Sequence, residues 1–214
     1  MASVKSRRPY RSRLRAEQAA QTRLRILETA GELFAESGYG ATTIDAIAAR
    51  ASVAVDTVYA VFGTKKALLS ALIDHRVTGS IEGSDVLAGD GPRALQAMTD
   101  REQVIAAFAA DIAARIERVR PIDDVMRGAG AIDPDIAELR TRMQENRFNK
   151  LRYVVELLAA RGPLRADVNV DEAAAIVWTL TSPEVNRLLR DDRGWSTQRY
   201  EQWLSTTLLR VLIP

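Results

Sequence analysis

The sequence predicts an all-α protein of about nine helices: a three-helix head at the N-terminus, then a larger helical body. Apolar residues recur at i, i+3, i+4 and i+7 in one segment after another, as they do on a helix with one buried face. The 12 Gly and 7 Pro among 214 residues are few, which suits a helical chain. No run of alternating apolar residues marks a sheet, and no internal repeat is present.

Composition narrows the function. Apolar content of 47% and charged content of 27% are ordinary for a soluble globular protein. The absence of Cys excludes disulfides, thiolate metal sites and Cys nucleophiles. The single histidine, His75, excludes a His-rich metal site. Asp123-Asp124 and Asp191-Asp192 are acidic pairs with no base or metal-ligand spacing beside them, and they read as solvated helix ends. No Gly-rich phosphate loop follows a strand. The expectation is a protein that is not an enzyme and needs no cofactor or metal. No apolar run reaches the length of a membrane span, and the basic N-terminus lacks the apolar core of a signal peptide, so a cytoplasmic protein without membrane contact is expected.

The formal charge of +2 hides an asymmetry. Residues 1–15 hold six basic residues (Lys5, Arg7, Arg8, Arg11, Arg13 and Arg15) and no acidic one, and residues 1–66 hold 11 basic against 6 acidic. A basic N-terminal end on an otherwise acidic chain fits a polyanionic partner, because phosphate neutralisation supplies most non-specific affinity for DNA.

In chain order, residues 1–16 read as a basic flexible arm. A helix follows over Glu17–Ser37, with Leu24, Leu27, Ala30 and Phe34 on one face, and Gly38 and Gly40 stop it. Ile44, Ile47, Ala48 and Ala51 stripe a short helix that Thr42 or Thr43 can cap. Ser52-Val53-Ala54 interrupts the helical pattern. Val55, Val58, Tyr59 and Phe62 then stripe a second short helix, which Gly63 ends. Two short helices across a tight turn form a helix-turn-helix, which lays its second helix in the major groove. Residues 17–64 are therefore assigned to a DNA-binding domain and residues 65–214 to the body.

Thr64 caps the next helix, from about Lys65 to Thr78. Residues 79–99 are rich in Gly, Asp and Ser and read as a connection, with room for a short helix near Arg93–Met98. A helix over Asp100–Arg118 ends before Pro121, and a short one spans Ile122–Arg127. Asp133-Pro134 starts a helix that runs to about Ala160, where Gly162-Pro163 closes it. Asp171 opens the next helix, which Ser182-Pro183 breaks in two. A last helix begins at Trp195-Ser196, with Trp195 placed to staple against Tyr200.

The stretch ILETAGELFAESGYGATTIDAIAARASVAVDTVYAVFGTKKALL, Ile26 to Leu69, resembles the N-terminal signature of the tetracycline-repressor (TetR) family of bacterial transcriptional regulators. It covers about a fifth of the chain. TLTSPEVNRLLRDDRGWSTQRYEQWL, Thr179 to Leu204, is similar to a C-terminal segment of some members. By this resemblance Thr43 contacts a DNA phosphate, with Thr42 beside it. Val55, Asp56 and Thr57 read bases, Tyr59 contacts the backbone, and Lys65 contacts a phosphate. Arg7, Arg8, Arg11 and Arg13 supply the arm. Two departures stand out: Ser52 replaces the usual turn glycine, and Ala60 and Val61 follow the tyrosine where larger polar residues are usual. The second short helix thus carries no Lys or Arg, so bidentate reading of guanine from it is excluded, and Arg50 and the arm take a larger share of the affinity.

The resemblance also implies a homodimer on a palindromic operator, joined through the last two helices. Leu188, Leu189, Trp203, Leu204, Leu208 and Val211 are candidates for that interface, as are Trp178 and Leu180. It further implies a small, largely hydrophobic effector that releases a repressor from DNA. Phe108, Ile112, Met126, Met143, Phe148 and Trp178 are candidate pocket walls. Arg147 interrupts the apolar stripe Ile136, Leu139, Met143, Leu151, Val154 and Leu158, and it either meets a ligand anion or carbonyl, reaches water, or pairs with a body carboxylate. The alternatives are a DNA-binding regulator with no small-molecule ligand and an all-α interaction protein that binds no DNA.

Overall fold

The computed structural model describes the backbone of residues 7–80 and 90–214 and the side chains of residues 14–80 and 93–214. Among these residues all regular elements are helical: α1 (Arg7–Ala41), α2 (Ile44–Arg50), α3 (Val55–Phe62), α4 (Lys65–Thr78), α5 (Asp90–Ala97), α6 (Arg101–Gly130), α7 (Pro134–Ala159), α8 (Val170–Leu180), α9 (Pro183–Arg187) with a π-helical turn over Leu188–Asp192, and α10 (Thr197–Leu212). None of the described helices is long and apolar enough to cross a membrane. They form two compact units: a head from α1 to His75 in α4, and a body from α5 to the C-terminus that also takes in Arg76–Thr78.

In the head, α1 begins ten residues before the expected Glu17, so the segment from Arg7 to Ala16 is helical where a flexible arm was expected. Five of its ten residues are Arg, which with Leu14 and Ala16 favours helix, and Pro9 lies in the first turn, where its missing N–H costs nothing. The side chains of Arg7, Arg8, Arg11 and Arg13 lie outside the described residues. Helical geometry breaks at Gly38, whose φ of 77° and ψ of 165° suit glycine alone. Ile26, Leu27, Ala30 and Phe34 on α1 are buried with Ile44, Ile47, Ala48, Val58, Phe62, Leu68, Leu69 and Leu72. In the α2–α3 turn Ser52 takes a φ of 53°. A side chain in that left-handed conformation costs roughly 1–2 kcal/mol, and this is the position where the resemblance leads one to expect glycine.

In the body, α6 packs against α10 and α7, and α7 against α8. Val104, Ile105, Phe108, Ile112 and Ile116 from α6 meet Leu151, Val155 and Leu158 from α7, Ala173, Ala174 and Val177 from α8, and Tyr200, Leu204, Leu208 and Leu212 from α10. Each fully buried large side chain contributes roughly 1.5–3 kcal/mol.

The expected break at Pro121 is absent, because α6 continues through it to Gly130. Proline inside a helix costs about 3 kcal/mol. The second half is held by buried Ile122 and Met126 and by Asp124, whose carboxylate takes Arg127 at 2.9 Å and Arg187 at 2.8 Å. Caps fix the other boundaries. Asp133 accepts from Asp135 and Ile136 N–H ahead of Pro134, and Ser182 accepts from Val185 N–H ahead of Pro183. The cap of α8 is Asn169, in a reciprocal capping box with Glu172, and not Asp171. Ser196 caps α10, and Trp195 finds its ring partner in Trp203, 6.0 Å away and edge-on, where Tyr200 was expected.

Candidate nucleic-acid interface and effector site

The reading end of the head is built by caps. Thr43 is exposed, and its hydroxyl oxygen accepts from Ala46 N–H at 3.1 Å. The cap uses a lone pair, so the hydroxyl proton remains to donate outward. Thr42, also expected at DNA, is turned inward instead: it is 2% exposed, and its hydroxyl lies 2.8 Å from Gly38 O and 3.1 Å from Leu33 O. Gly38 O also takes the Thr42 backbone N–H at 3.3 Å, so Thr42 closes the end of α1 with both its backbone and its side chain.

Lys65 sits at the first position of α4. Its ammonium donates to Tyr39 O at 2.8 Å and Thr42 O at 2.9 Å, and it lies 4.3 Å from the Tyr39 ring centroid. An ammonium has three N–H donors, and here two go to carbonyls while the third side is covered by an aromatic face. The lysine thus bolts the start of α4 to the turn that presents Thr43. Lys65→Met should therefore weaken DNA binding and leave the salt dependence of binding unchanged. A direct phosphate contact predicts instead a slope of log K against log salt that is smaller by about 0.9 per lost contact, measurable by titration at several salt concentrations.

On α3 the exposed side chains are Asp56, Tyr59 and Ala60, with Val55 and Thr57 half-buried. Tyr59 is 49% exposed, while its neighbours Val58 and Phe62 are buried. Arg23 of α1 stacks over the Phe62 ring at 4.5 Å and reaches Val61 O at 3.5 Å, fixing the end of α3. Arg50, expected to help hold DNA, is paired with both Glu36 oxygens at 2.9 and 2.8 Å. Both partners are exposed, and such a pair is worth roughly 0–1 kcal/mol, which a phosphate can outbid.

In the body, Phe108 and Ile112 are core residues of the apolar cluster on which Phe148 and Trp178 pack. Met126 is buried outside that cluster, and Met143 is half-buried. Arg147 points from α7 to the end of α8. It donates to Trp178 O and to Thr181 Oγ1, both at 2.7 Å, and lies 5.5 Å from the Trp178 ring. Burial pulls its pKa down to about 10, against the smaller pull of Glu184 and Asp123 in the other direction. Its direct partners are neutral groups, so the expected carboxylate pairing is not what holds it.

Asp123, expected as a solvated helix end, is 8% exposed, and burial raises its pKa. Arg140 links it, at 3.8 Å, to Glu184, at 2.8 Å. Asn186 is wholly buried, takes Arg120 on its oxygen at 3.4 Å, and has the Tyr200 hydroxyl beside it. Its neighbour Tyr200 is also fully buried, with its pKa pushed up to about 12 by burial. Sequence reasoning missed this polar layer across α6, α7, α9 and α10. A lone Asn on a five-residue helix gives no periodic signal.

The dimer candidates divide. Leu188 is 55% exposed, and Leu189, Trp203 and Val211 are half-buried. Leu204 and Leu208 are buried in the body's own core and offer no surface, because the inward stripe of α10 runs Tyr200, Leu204, Leu208, Leu212.

Comparison with known proteins supports the head. Residues 26–72 match the family described as "Bacterial regulatory proteins, tetR family". The chain is similar to the probable HTH-type transcriptional regulator ArpR of Pseudomonas putida, with 27% identity over 203 residues, 90% of this chain and 92% of that one. Its fold is that of NalD, the secondary repressor of the MexAB-OprM multidrug efflux pump in Pseudomonas aeruginosa, with TM-score 0.66, 20% identity, and coverage of 90% of this chain and 95% of that one. It is also that of the SmeT–triclosan complex, with TM-score 0.68, 20% identity, and coverage of 91% and 92%.

Proposed function

We propose that the chain is a DNA-binding transcriptional regulator of the tetR family of bacterial regulatory proteins, a homodimeric repressor released from a palindromic operator by a small, largely hydrophobic ligand. The carrying observation is the head: a capped helix-turn-helix whose second helix exposes Asp56, Tyr59 and Ala60 while Val58 and Phe62 anchor it. Thr43, Val55, Asp56, Thr57, Tyr59 and the basic residues of the N-terminal segment form the DNA-facing set, with Lys65 holding the set in place. The work is done in the cytoplasm. The ligand reading is supported by two relatives in fold, one described as a repressor of a multidrug efflux pump and one solved with triclosan. Leu188, Leu189, Trp203 and Val211 form the dimer contact. A ligand releases DNA only by its difference in affinity for the DNA-binding and released states.

The test is a mobility-shift titration on the DNA upstream of the protein's own gene, repeated with hydrophobic compounds that raise its melting temperature. Specific retardation, reversed by a stabilising compound, is the expected result. Retardation that no compound reverses leaves a regulator without a small-molecule ligand. No retardation there or on any selected palindrome leaves an all-α interaction protein.

A further inference from the structure

We propose that Asp56 is a specificity-determining residue that accepts a hydrogen bond from the N4 amino group of a cytosine in each half-site. The inference rests on the DNA-binding reading of the head. In a helix-turn-helix the N-terminal residues of the second helix reach base edges. On α3 those residues are Val55, Asp56 and Thr57. Val55 is apolar, and Thr57 is half-buried with a hydroxyl that both donates and accepts. Asp56 is the exposed one, and its ionised carboxylate only accepts. The helix carries no Lys or Arg, so no neighbouring cation on it redirects the readout to guanine.

A carboxylate in the major groove stands close to phosphates of its own sign. It is favourable only opposite a base that offers an N–H. Guanine presents N7 and O6, and thymine presents O4, all acceptors that repel it. Adenine and cytosine present amino groups. Adenine flanks its amino group with the N7 acceptor on the same base, while cytosine flanks its own with a C–H, so cytosine suits a two-oxygen acceptor better. The same charge therefore selects one base and rejects the others, a discrimination that an apolar reading face cannot supply.

The experiment selects bound sequences from random duplex DNA with the wild-type protein, D56A and D56N. The wild type should enrich a palindrome with cytosine at one position in each half-site. D56A should bind the same palindrome with that position relaxed. Replacing the C·G pair by T·A should weaken wild-type binding about tenfold and D56A binding less than twofold. D56N, whose amide matches the N6–N7 pair of adenine, should shift the preference there from cytosine to adenine. An unchanged motif in D56A, or a relaxed position that holds guanine or thymine in the wild type, overturns the assignment and leaves the regulator reading intact. A wild-type protein that enriches no motif overturns both.

Discussion

Replacing Phe34 with alanine should unfold the head and abolish DNA binding, while the body should keep its helices. Phe34 is fully buried on the inward face of α1, among Ile26, Leu27 and Ala30, and its ring lies 5.5 Å from that of Tyr39. Phe-to-Ala changes in a packed core cost about 3–5 kcal/mol, the sum of lost transfer energy and the cavity left behind. A unit of this size has a total stability on the order of 3–10 kcal/mol at typical per-residue values. The loss is thus comparable with everything that holds the head together. Circular dichroism on heating should show a fraction of the helical signal lost at low temperature and the remainder melting as before. Mobility shift should show no complex. Phe34→Leu, which keeps most of the volume, should cost under about 1.5 kcal/mol and retain binding. A Phe34→Ala protein that melts and binds like the wild type would mean that α1 is not the keystone of the head.

The head was legible because its determinants are short-range. Thr43 to Ala46, Thr64 to Ala67 and the stop at Gly63 each act within four residues, the range over which periodicity and capping rules operate. Asp133-Pro134 and Ser182-Pro183 were readable for the same reason. What escaped is long-range. Thr42 and Thr43 are chemically alike, and only the kink at Gly38 decides that one turns inward. Lys65 is spent on carbonyls 23 and 26 residues away, and Arg147 on groups 31 and 34 residues away, pairings that no local pattern encodes. Pro121 reads as a helix end, but packing on both sides of it outweighs the local cost. On α10 the apolar stripe was visible, but periodicity does not say whether a stripe faces the chain's own core or a second copy. Leu204 and Leu208 turned out to face inward.

Arg147→Ala should destabilise the body by about 2–4 kcal/mol, while Arg147→Met should stay within about 1 kcal/mol of the wild type. Two opposed quantities set these values. The guanidinium closes the C-terminal end of α8, where Trp178 O is one of the last carbonyls of the helix, and an unsatisfied buried acceptor costs about 1–3 kcal/mol. Against this, holding the guanidinium down at about 10, well below its ordinary value, costs roughly 3 kcal/mol. Methionine removes the charge and its burial cost, loses the hydrogen bonds, and still fills the space of the stem, so the two effects nearly cancel. Alanine adds a cavity to the lost hydrogen bonds. The pH dependence follows in sign. A cation with a depressed folded pKa carries its full cost at every pH below about 10 and sheds it only above, as the folded form gives up its proton before the unfolded one. Between pH 6 and 9 the stability difference between wild type and Arg147→Met should therefore be flat, as urea unfolding at several pH values can establish. The methionine variant also isolates the ligand question. If an anionic or carbonyl-bearing effector meets Arg147, Arg147→Met should keep the fold and its DNA complex and lose the release by that effector. If release persists, Arg147 serves α8 alone.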